Sequence, residues 1–215
     1  MTASLISGEV LRTSVNCCTV LFNSSLTIRS SASLFFLNNH ILANSSNGKD
    51  GRARIGDSIY QPGTTDGERN SRNIIGRLSK YVTLDEYPKP NEVDCAVAKP
   101  LNNDLIKSEI LGIGKVQGVT VPVLGMNVKK SGRTTGVTAG SIKILNVTAD
   151  VNYGGGRILR FENQIYTTKL SEGGDSGSLV LDENNMAVGL LFAGSNQGTL
   201  VNPILAVLDW LKVNF

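Results

Sequence analysis

Short apolar runs, separated by turn-forming residues about every 8 to 12 positions, are the feature that most constrains the fold of this chain. The chain has 215 residues, of which 23 are glycine. Because such runs are typical of β-strands and no helical pattern alternates with them, they predict a sandwich or barrels rather than a doubly wound sheet. The candidate strands are 17–22, 33–37, 93–98, 123–129, 135–148, 157–167, 178–182 and 187–193.

The segments between these strands predict turns, loops and one helix. Residues 151–157 (VNYGGGR) predict a glycine-rich hairpin turn. Residues 44–73 predict a long surface excursion, and 99–122 predict a link between two halves. At the C-terminal end Asn202 is a suitable helix cap and Pro203 suits the first helical turn, and an apolar stripe at helical spacing follows them.

Composition excludes several classes of function. The net charge of +3 is spread along the chain, which disfavours nucleic-acid binding. No apolar run reaches the roughly 20 residues that span a bilayer, so no membrane partner is expected. Three cysteines form no obvious disulfide framework, and the first residues lack the features of a signal peptide, so we expect a cytoplasmic protein. A single histidine excludes zinc sites built from several histidines, and we expect neither a metal nor a cofactor.

The string EGGDSGS at 172–178 has the most specific chemistry. A serine between glycines lies in a tight turn, where the amides of Gly174 and Ser176 can point in the same direction. Two convergent N–H groups form an oxyanion hole, and Ser176 can then be a nucleophile. The alternative is a glycine-rich turn whose serine has no chemical role, but the longer string, followed by an apolar strand, favours the nucleophile.

A serine nucleophile requires a base, and His40 is the only histidine in the chain. An imidazole without neighbours titrates at about pH 6.5, which suits that role. The base requires a carboxylate, and Asp94 is the best candidate because a carboxylate inside an otherwise apolar run must be paired. The alternatives are a packed or solvated histidine and an aspartate that caps a turn.

The order His40, Asp94, Ser176 resembles that of the chymotrypsin-like (trypsin-fold) serine peptidases. The resemblance covers roughly residues 17–212 and is greatest to the bacterial branch, which includes the streptogrisins and α-lytic protease. KKSGRTTGVTAGSI at 129–142 looks like the strand pair that opens the second barrel of that branch. The strings NNHILAN, VNYGGGR and AVGLLFAGS look like its histidine turn, its hairpin ahead of the serine and its substrate-binding strand.

This resemblance implies an all-β fold of two six-stranded antiparallel β-barrels with a C-terminal helix and the triad in the cleft between the barrels. We expect a single peptidase domain over 1–215, with a first lobe at 1–110, a second lobe at 111–202 and the helix at 203–213. Ser176 is expected to attack a peptide carbonyl, with His40 as base and Asp94 as its partner. The amides of Gly174 and Ser176 are expected to bind the oxyanion.

Two departures from the family pattern lead to further predictions. The chain shows no activation site of the vertebrate type, so we expect Asp175 to pair with an internal cation, either Lys130 or Arg133, unless both are ordinary surface charges. Phe192 aligns with the position that usually carries a hydroxyl group beside the triad aspartate. We therefore expect Asp94 to have other donors.

The resemblance also locates the pocket for the side chain before the scissile bond. Its walls are expected to come from Leu170, Ser171, Glu172, Phe192, Ala193 and Gly194. The position at the base of the pocket, which is acidic in trypsin-type enzymes, is Leu170 here. Cleavage after lysine or arginine is therefore disfavoured, and a small or apolar residue is expected.

The sequence thus predicts a serine endopeptidase acting on proteins or peptides. One alternative is a catalytically silent or partner-activated domain of the same fold that binds peptides or proteins. A second is an esterase that uses the same triad, although the residue order differs from that of α/β-hydrolases. A cytosolic peptidase must be restrained, so an activating or regulatory protein partner fits this prediction.

Overall fold

The computed structural model describes residues 4–6, 26–27, 33–63, 66 and 71–214. The described chain is mainly β-structure with a short helix near its C-terminal end, which confirms the all-β prediction. The strands are β1 (Ser4–Ile6), β2 (Leu26–Thr27), β3 (Ser33–Leu37), β4 (Ser58–Tyr60), β5 (Ile74–Tyr81), β6 (Pro90–Asn91), β7 (Ala96–Pro100), β8 (Gly118–Val119), β9 (Asn127–Gly132), β10 (Gly136–Asn152), β11 (Ile158–Thr167), β12 (Leu179–Leu181), β13 (Met186–Gly194) and β14 (Thr199–Pro203). The helices are α1 (Asn39–Leu42) and α2 (Ile204–Leu211), with two short 3₁₀ helices at Ser71–Asn73 and Asn103–Leu105.

The first sheet has the antiparallel order β2-β3-β7-β5-β4. Successive side chains of a strand point to opposite faces, and β3 is buried on both. Phe35 and Leu37 pack on one side with Leu78, whereas Leu34 and Phe36 pack on the other. This second cluster also contains apolar residues of β12, β13 and α2, so it joins the first sheet to the remainder of the molecule. The end of β3, where the predicted base follows, is therefore rigidly packed.

The second sheet has nine strands within the described residues, in the order β1-β10-β9-β12-β13-β14-β11-β6, with β8 beside β13. The long β10–β11 hairpin has three register shifts, and β10 pairs with β9 over 136–141, with β11 over 142–152 and with β1 over 150–152. The described sheets thus have five and nine strands where six in each barrel were expected, because the short strands β1, β6 and β8 add to the second sheet. The lobe boundaries stay predictions.

Several strand predictions need correction. Seven strands were not predicted, namely β1, β2, β4, β5, β6, β8 and β14. In addition, β7 begins at Ala96 rather than 93, and β9 begins at Asn127 rather than 123. The predicted strand at 17–22 lies outside the described residues. The excursion at 44–73 contains β4, and the predicted turn at 151–157 connects β10 to β11, where the Tyr153 amide donates to the Arg157 carbonyl over 2.9 Å.

The cap predicted for the C-terminal helix is wrong. Asn202 lies in β14, and Pro203 occupies the cap position without a side-chain cap hydrogen bond. The Asn202 amide is instead engaged with Asp94, as described below. Within the described ranges, no helix is long and apolar enough to cross a membrane.

Candidate active site

His40 lies in the single turn of α1, immediately after β3, and faces Asp94. Its Nδ1 lies 2.5 Å from Asp94 Oδ2, and its backbone N–H donates to Asp94 Oδ1 over 3.1 Å. The Asp94 side chain is wholly buried, whereas 20% of the His40 side chain is exposed. With Asp94 ionised, Nδ1 carries the proton and Nε2 presents a lone pair, which is the tautomer that a general base requires.

Tyr153 is a partner of this pair that sequence reasoning missed. Its hydroxyl donates to Asp94 Oδ2 over 2.6 Å, and its ring meets the His40 ring edge-on with centroids 5.8 Å apart. Burial, together with the charge and hydrogen bond of Asp94, raises the pKa of Tyr153 well above its ordinary value. The Phe192 side chain has no hydrogen-bonding group and packs on Phe161, which in turn stacks on Tyr153. The donors of Asp94 thus lie elsewhere, in keeping with the sequence expectation.

Asn202 and Asn38 fix the backbone of Asp94. The Asn202 side chain accepts from the Asp94 N–H over 3.1 Å and donates to its carbonyl over 3.3 Å. It also donates to the carbonyl of Leu190 on β13 over 3.2 Å. Asn38 donates to the Asp94 carbonyl over 2.8 Å. The aspartate is thereby attached both to the histidine turn and to the second sheet.

The serine turn packs directly on the end of β3. Gly177 has a φ of +87°, and a Cβ there would lie 2.3 Å from Leu37 Cδ2, so only glycine allows this approach. The Gly177 N–H donates to the carbonyl of Leu191 on β13 over 2.9 Å. Leu37 precedes His40 by three residues, so Gly177, next to the half-buried Ser176, packs close to the start of the histidine turn.

Asp175, next to Ser176, is wholly buried and lies 3.2 Å from the equally buried Nζ of Lys130. Its carboxylate also accepts from the Thr135 hydroxyl and from the amides of Thr134 and Glu172. Although burial alone would raise the pKa of Asp175, the hydrogen bonds from Thr135 and these amides, with the charge of Lys130, lower it. These contacts hold the serine turn on the β9–β10 turn.

Arg133, the second cation that the sequence suggested for Asp175, pairs with Asp66 instead. Lys130 lies two residues after the buried Val128 on β9, so its side chain points to the same inward face. Arg133 lies in the turn beyond the strand. A Cβ on Gly174 would lie 2.8 Å from Arg133 Nη1, so the guanidinium is close to the serine turn without contacting Asp175. Its supporting role stays a prediction.

The predicted pocket residues fall into two groups. Leu170, Phe192 and Ala193 are buried in the cores beneath the sheet, and the exposed Glu172 pairs with Lys169. Ser171 and Gly194 adjoin each other, since a Cβ on Gly194 would lie 3.0 Å from Ser171 Oγ.

Thr199, which sequence reasoning did not include, adjoins the predicted pocket. Its hydroxyl lies 2.9 Å from that of Ser171 and accepts from the Leu170 N–H over 3.0 Å. Among the described residues, no cluster of histidine, cysteine, aspartate and glutamate could hold a metal ion.

The chain is similar to curated bacterial proteases over part of its length, although no protein-family model matches it. It is 51% identical over 55 residues to "Glutamyl endopeptidase 2" of Streptomyces griseus, covering 26% of this chain and 27% of that protein. It is 36% identical over 98 residues to "Serine protease 1" of Streptomyces fradiae, covering 43% of this chain and 26% of that protein. The chain thus spans about a quarter of the length of these two relatives.

The solved structure titled "Alpha-lytic protease homolog N4" matches the whole chain. The TM-score is 0.61 with 21% sequence identity, and the match covers 99% of both chains. At this identity the likeness concerns the fold, which is the chymotrypsin-like fold that the sequence predicted. Together the comparisons confirm the resemblance to the bacterial branch.

Proposed function

We propose that this chain is a serine endopeptidase that hydrolyses peptide bonds in proteins or peptides through an acyl-enzyme. The observation that carries the proposal is the buried Asp94 carboxylate held against Nδ1 of the only histidine. The GDSGS turn supports it, because Gly177, next to the candidate nucleophile, packs on Leu37, three residues before that histidine. Relatives named as proteases support the same activity.

The proposed reaction assigns one role to each group. Ser176 Oγ attacks the scissile carbonyl while His40 Nε2 takes the hydroxyl proton and later delivers it to the leaving amine. Asp94 keeps His40 in the required tautomer and stabilises the imidazolium that forms. The N–H groups of Gly174 and Ser176 bind the oxyanion, and the loss of one such donor typically costs about 10² to 10³ in kcat.

We further propose that the serine turn forms without cleavage of the chain. The internal cation Lys130 neutralises the buried Asp175, and that carboxylate binds the amide of Glu172 at the start of the turn. A charge supplied by a new amino terminus is then unnecessary. Arg133, beside Gly174, is the further candidate support for the turn.

For specificity we propose a small or apolar side chain before the scissile bond. Ser171, Gly194 and Thr199 adjoin one another and are uncharged. On the family resemblance Leu170, rather than a carboxylate, corresponds to the base position, which disfavours lysine and arginine. The relative named glutamyl endopeptidase suggests an acidic side chain as the competing specificity, which the hydroxyls of Ser171 and Thr199 would receive. Matched peptides that differ only in that residue, as alanine, leucine, glutamate or lysine, separate these outcomes, and preferred cleavage after lysine contradicts both.

A catalytically silent or partner-activated domain is the second candidate function. The Arg133–Asp66 pair favours it as a point of regulation, because Arg133 also lies beside Gly174. On this alternative a protein partner breaks that ion pair before the site works.

A cytoplasmic location stays a prediction from the cysteine pattern and the first residues.

A fluorophosphonate probe with detection by intact mass tests the activity. We expect one adduct on the wild type and on Ser58→Ala, a control on β4, none on Ser176→Ala and a slower reaction on His40→Ala. The absence of an adduct on well-folded wild type would contradict an active peptidase and favour the silent domain. Hydrolysis of simple esters without cleavage of any peptide would indicate an esterase.

A further inference from the structure

We propose that Tyr153, in the β10–β11 hairpin, is a positioning residue. Its hydroxyl holds the Asp94 carboxylate in the orientation that faces the His40 ring. The inference rests on the proposed function, because the pair that Tyr153 positions is the general base of that reaction. Tyr153 touches neither the scissile bond nor the nucleophile in this scheme, so it acts only through Asp94.

The hydrogen bonds of the carboxylate are the first argument. Oδ1 accepts from the backbone of His40, and Oδ2 accepts from both His40 Nδ1 and Tyr153. The described residues make these three hydrogen bonds to the carboxylate, and two of the three come from His40 itself. Tyr153 therefore provides the side-chain contact that orients the pair relative to the second sheet. Because the carboxylate is wholly buried, loss of the Tyr153 hydroxyl leaves Oδ2 with His40 Nδ1 as its one donor among the described residues, which costs stabilisation of the charge.

The tyrosine is itself held rigidly, which a positioning group requires. Its N–H closes the hairpin onto Arg157, and its ring stacks on Phe161 with an angle of 20° between the planes. A second constraint comes from His40, whose ring meets the Tyr153 ring at an angle of 86° between the planes. With these contacts in place, the hydroxyl has one position from which to reach Oδ2.

The protonation of Tyr153 matches this role. Burial and Asp94 raise the pKa of the phenol, so it remains a neutral donor while an imidazole gains or loses its proton. The hydroxyl dipole partly offsets the negative potential that Asp94 exerts on His40. Removal of the hydroxyl makes that potential more negative, so the imidazole then protonates at higher pH.

Tyr153→Phe removes this oxygen and keeps the ring contacts. Tyr81→Phe is the matched control, because the Tyr81 hydroxyl donates over 3.5 Å to the carbonyl of Ala53 in the first lobe. Since His40 is the only histidine, the imidazole NMR signals of untagged protein belong to it alone. The titration midpoint of these signals is a readout that does not depend on activity.

For Tyr153→Phe we expect the His40 midpoint and the acid limb of kcat/KM to move to higher pH. We expect kcat to fall about ten- to a hundredfold with little change in KM, the range for a lost hydrogen bond to a charged group. Tyr81→Phe is expected to behave as wild type in both measurements.

An unchanged titration and an unchanged kcat in Tyr153→Phe would overturn the proposal. Loss of folding in Tyr153→Phe, with Tyr81→Phe folded, would also overturn it, since the hydroxyl would then serve stability. If the wild type neither labels nor hydrolyses, the proposed function fails, and the NMR titration still decides whether Tyr153 positions Asp94 on His40.

Discussion

Asp94 and Asp175 are both wholly buried near the serine turn, yet they meet different kinds of partner. Asp175 lies beside Lys130 and accepts from amides and a threonine hydroxyl, so its charge is neutralised at any ordinary pH. Asp94 meets His40 and Tyr153, neither of which has a permanent charge. Its negative charge is fully balanced only when His40 is protonated.

This difference separates a carboxylate that builds the site from one that is available for chemistry. A permanent cation beside Asp94 would remove the potential that stabilises a transient imidazolium. A titrating partner beside Asp175 would make the shape of the serine turn depend on pH. We therefore expect substitutions at Asp94 to act mainly on rate and those around Asp175 to act mainly on stability.

The largest effect is expected from Asp94→Asn. The amide selects the wrong histidine tautomer, which costs about 10⁴ in kcat, or about 5 kcal/mol of activation free energy. The free energy of unfolding is expected to fall by only about 1 to 3 kcal/mol, because the hydrogen-bonding partners are largely retained. Burst kinetics and urea unfolding measure the two quantities. If the unfolding free energy fell by more than the activation free energy rose, the comparison would be reversed.

The next effect is expected from Lys130→Met, which leaves the Asp175 carboxylate buried and unpaired. Removing one member of a buried ion pair costs about 3 to 5 kcal/mol of unfolding free energy. Urea unfolding measures it, with Lys129→Met as the control, because the Lys129 ammonium donates to the exposed Glu183 carbonyl. The double variant Lys130→Met/Asp175→Asn should recover part of the loss, and equal losses in the two lysine variants would contradict the assignment.

The smallest effect is expected on the unfolding free energy at acid pH, through Asp175. Because the pKa of Asp175 is lowered in the folded state, its contribution to stability is complete above its unfolded value of about 3.9. That contribution is lost as the pH falls through the folded value, since the unfolded state binds the proton first. The difference in unfolding free energy between wild type and Asp175→Asn should therefore narrow below about pH 4. Urea midpoints between pH 5 and pH 2.5 test this, and a constant difference would contradict it.

The sequence predicted the fold because turn-forming residues separate strand-like segments of the second sheet, such as the alternating pattern of β11 and the apolar run of β13. β5 escaped prediction because glycine, arginine, serine and lysine interrupt its apolar positions. β14 is short and ends in Asn-Pro, a pair that also suits the start of a helix, so its asparagine was interpreted as a cap.

The candidate site was predictable where a motif, an apolar context or the composition distinguished one residue from all others. His40 has no rival in the chain, whereas Lys130 and Arg133 lie in one segment and could not be separated by residue type. The two-residue spacing of Val128 and Lys130, which places both on one face of β9, was the signal that could have distinguished Lys130 from Arg133. Tyr153 could not be found, because its contact with Asp94 depends on how a distant hairpin folds over the first lobe.

Gly177 and Asn202 reach two consecutive carbonyls of β13, those of Leu191 and Leu190. The serine turn and the asparagine that binds the backbone of Asp94 are thus attached to two adjacent residues of one strand. A shear between the lobes strains the hydrogen bonds between Asn202 and Asp94, which cross from the second lobe to the first. Exchange of the Asp94 amide hydrogen with solvent deuterium therefore reports separation of the acid from the second lobe, before the β-sheets themselves come apart.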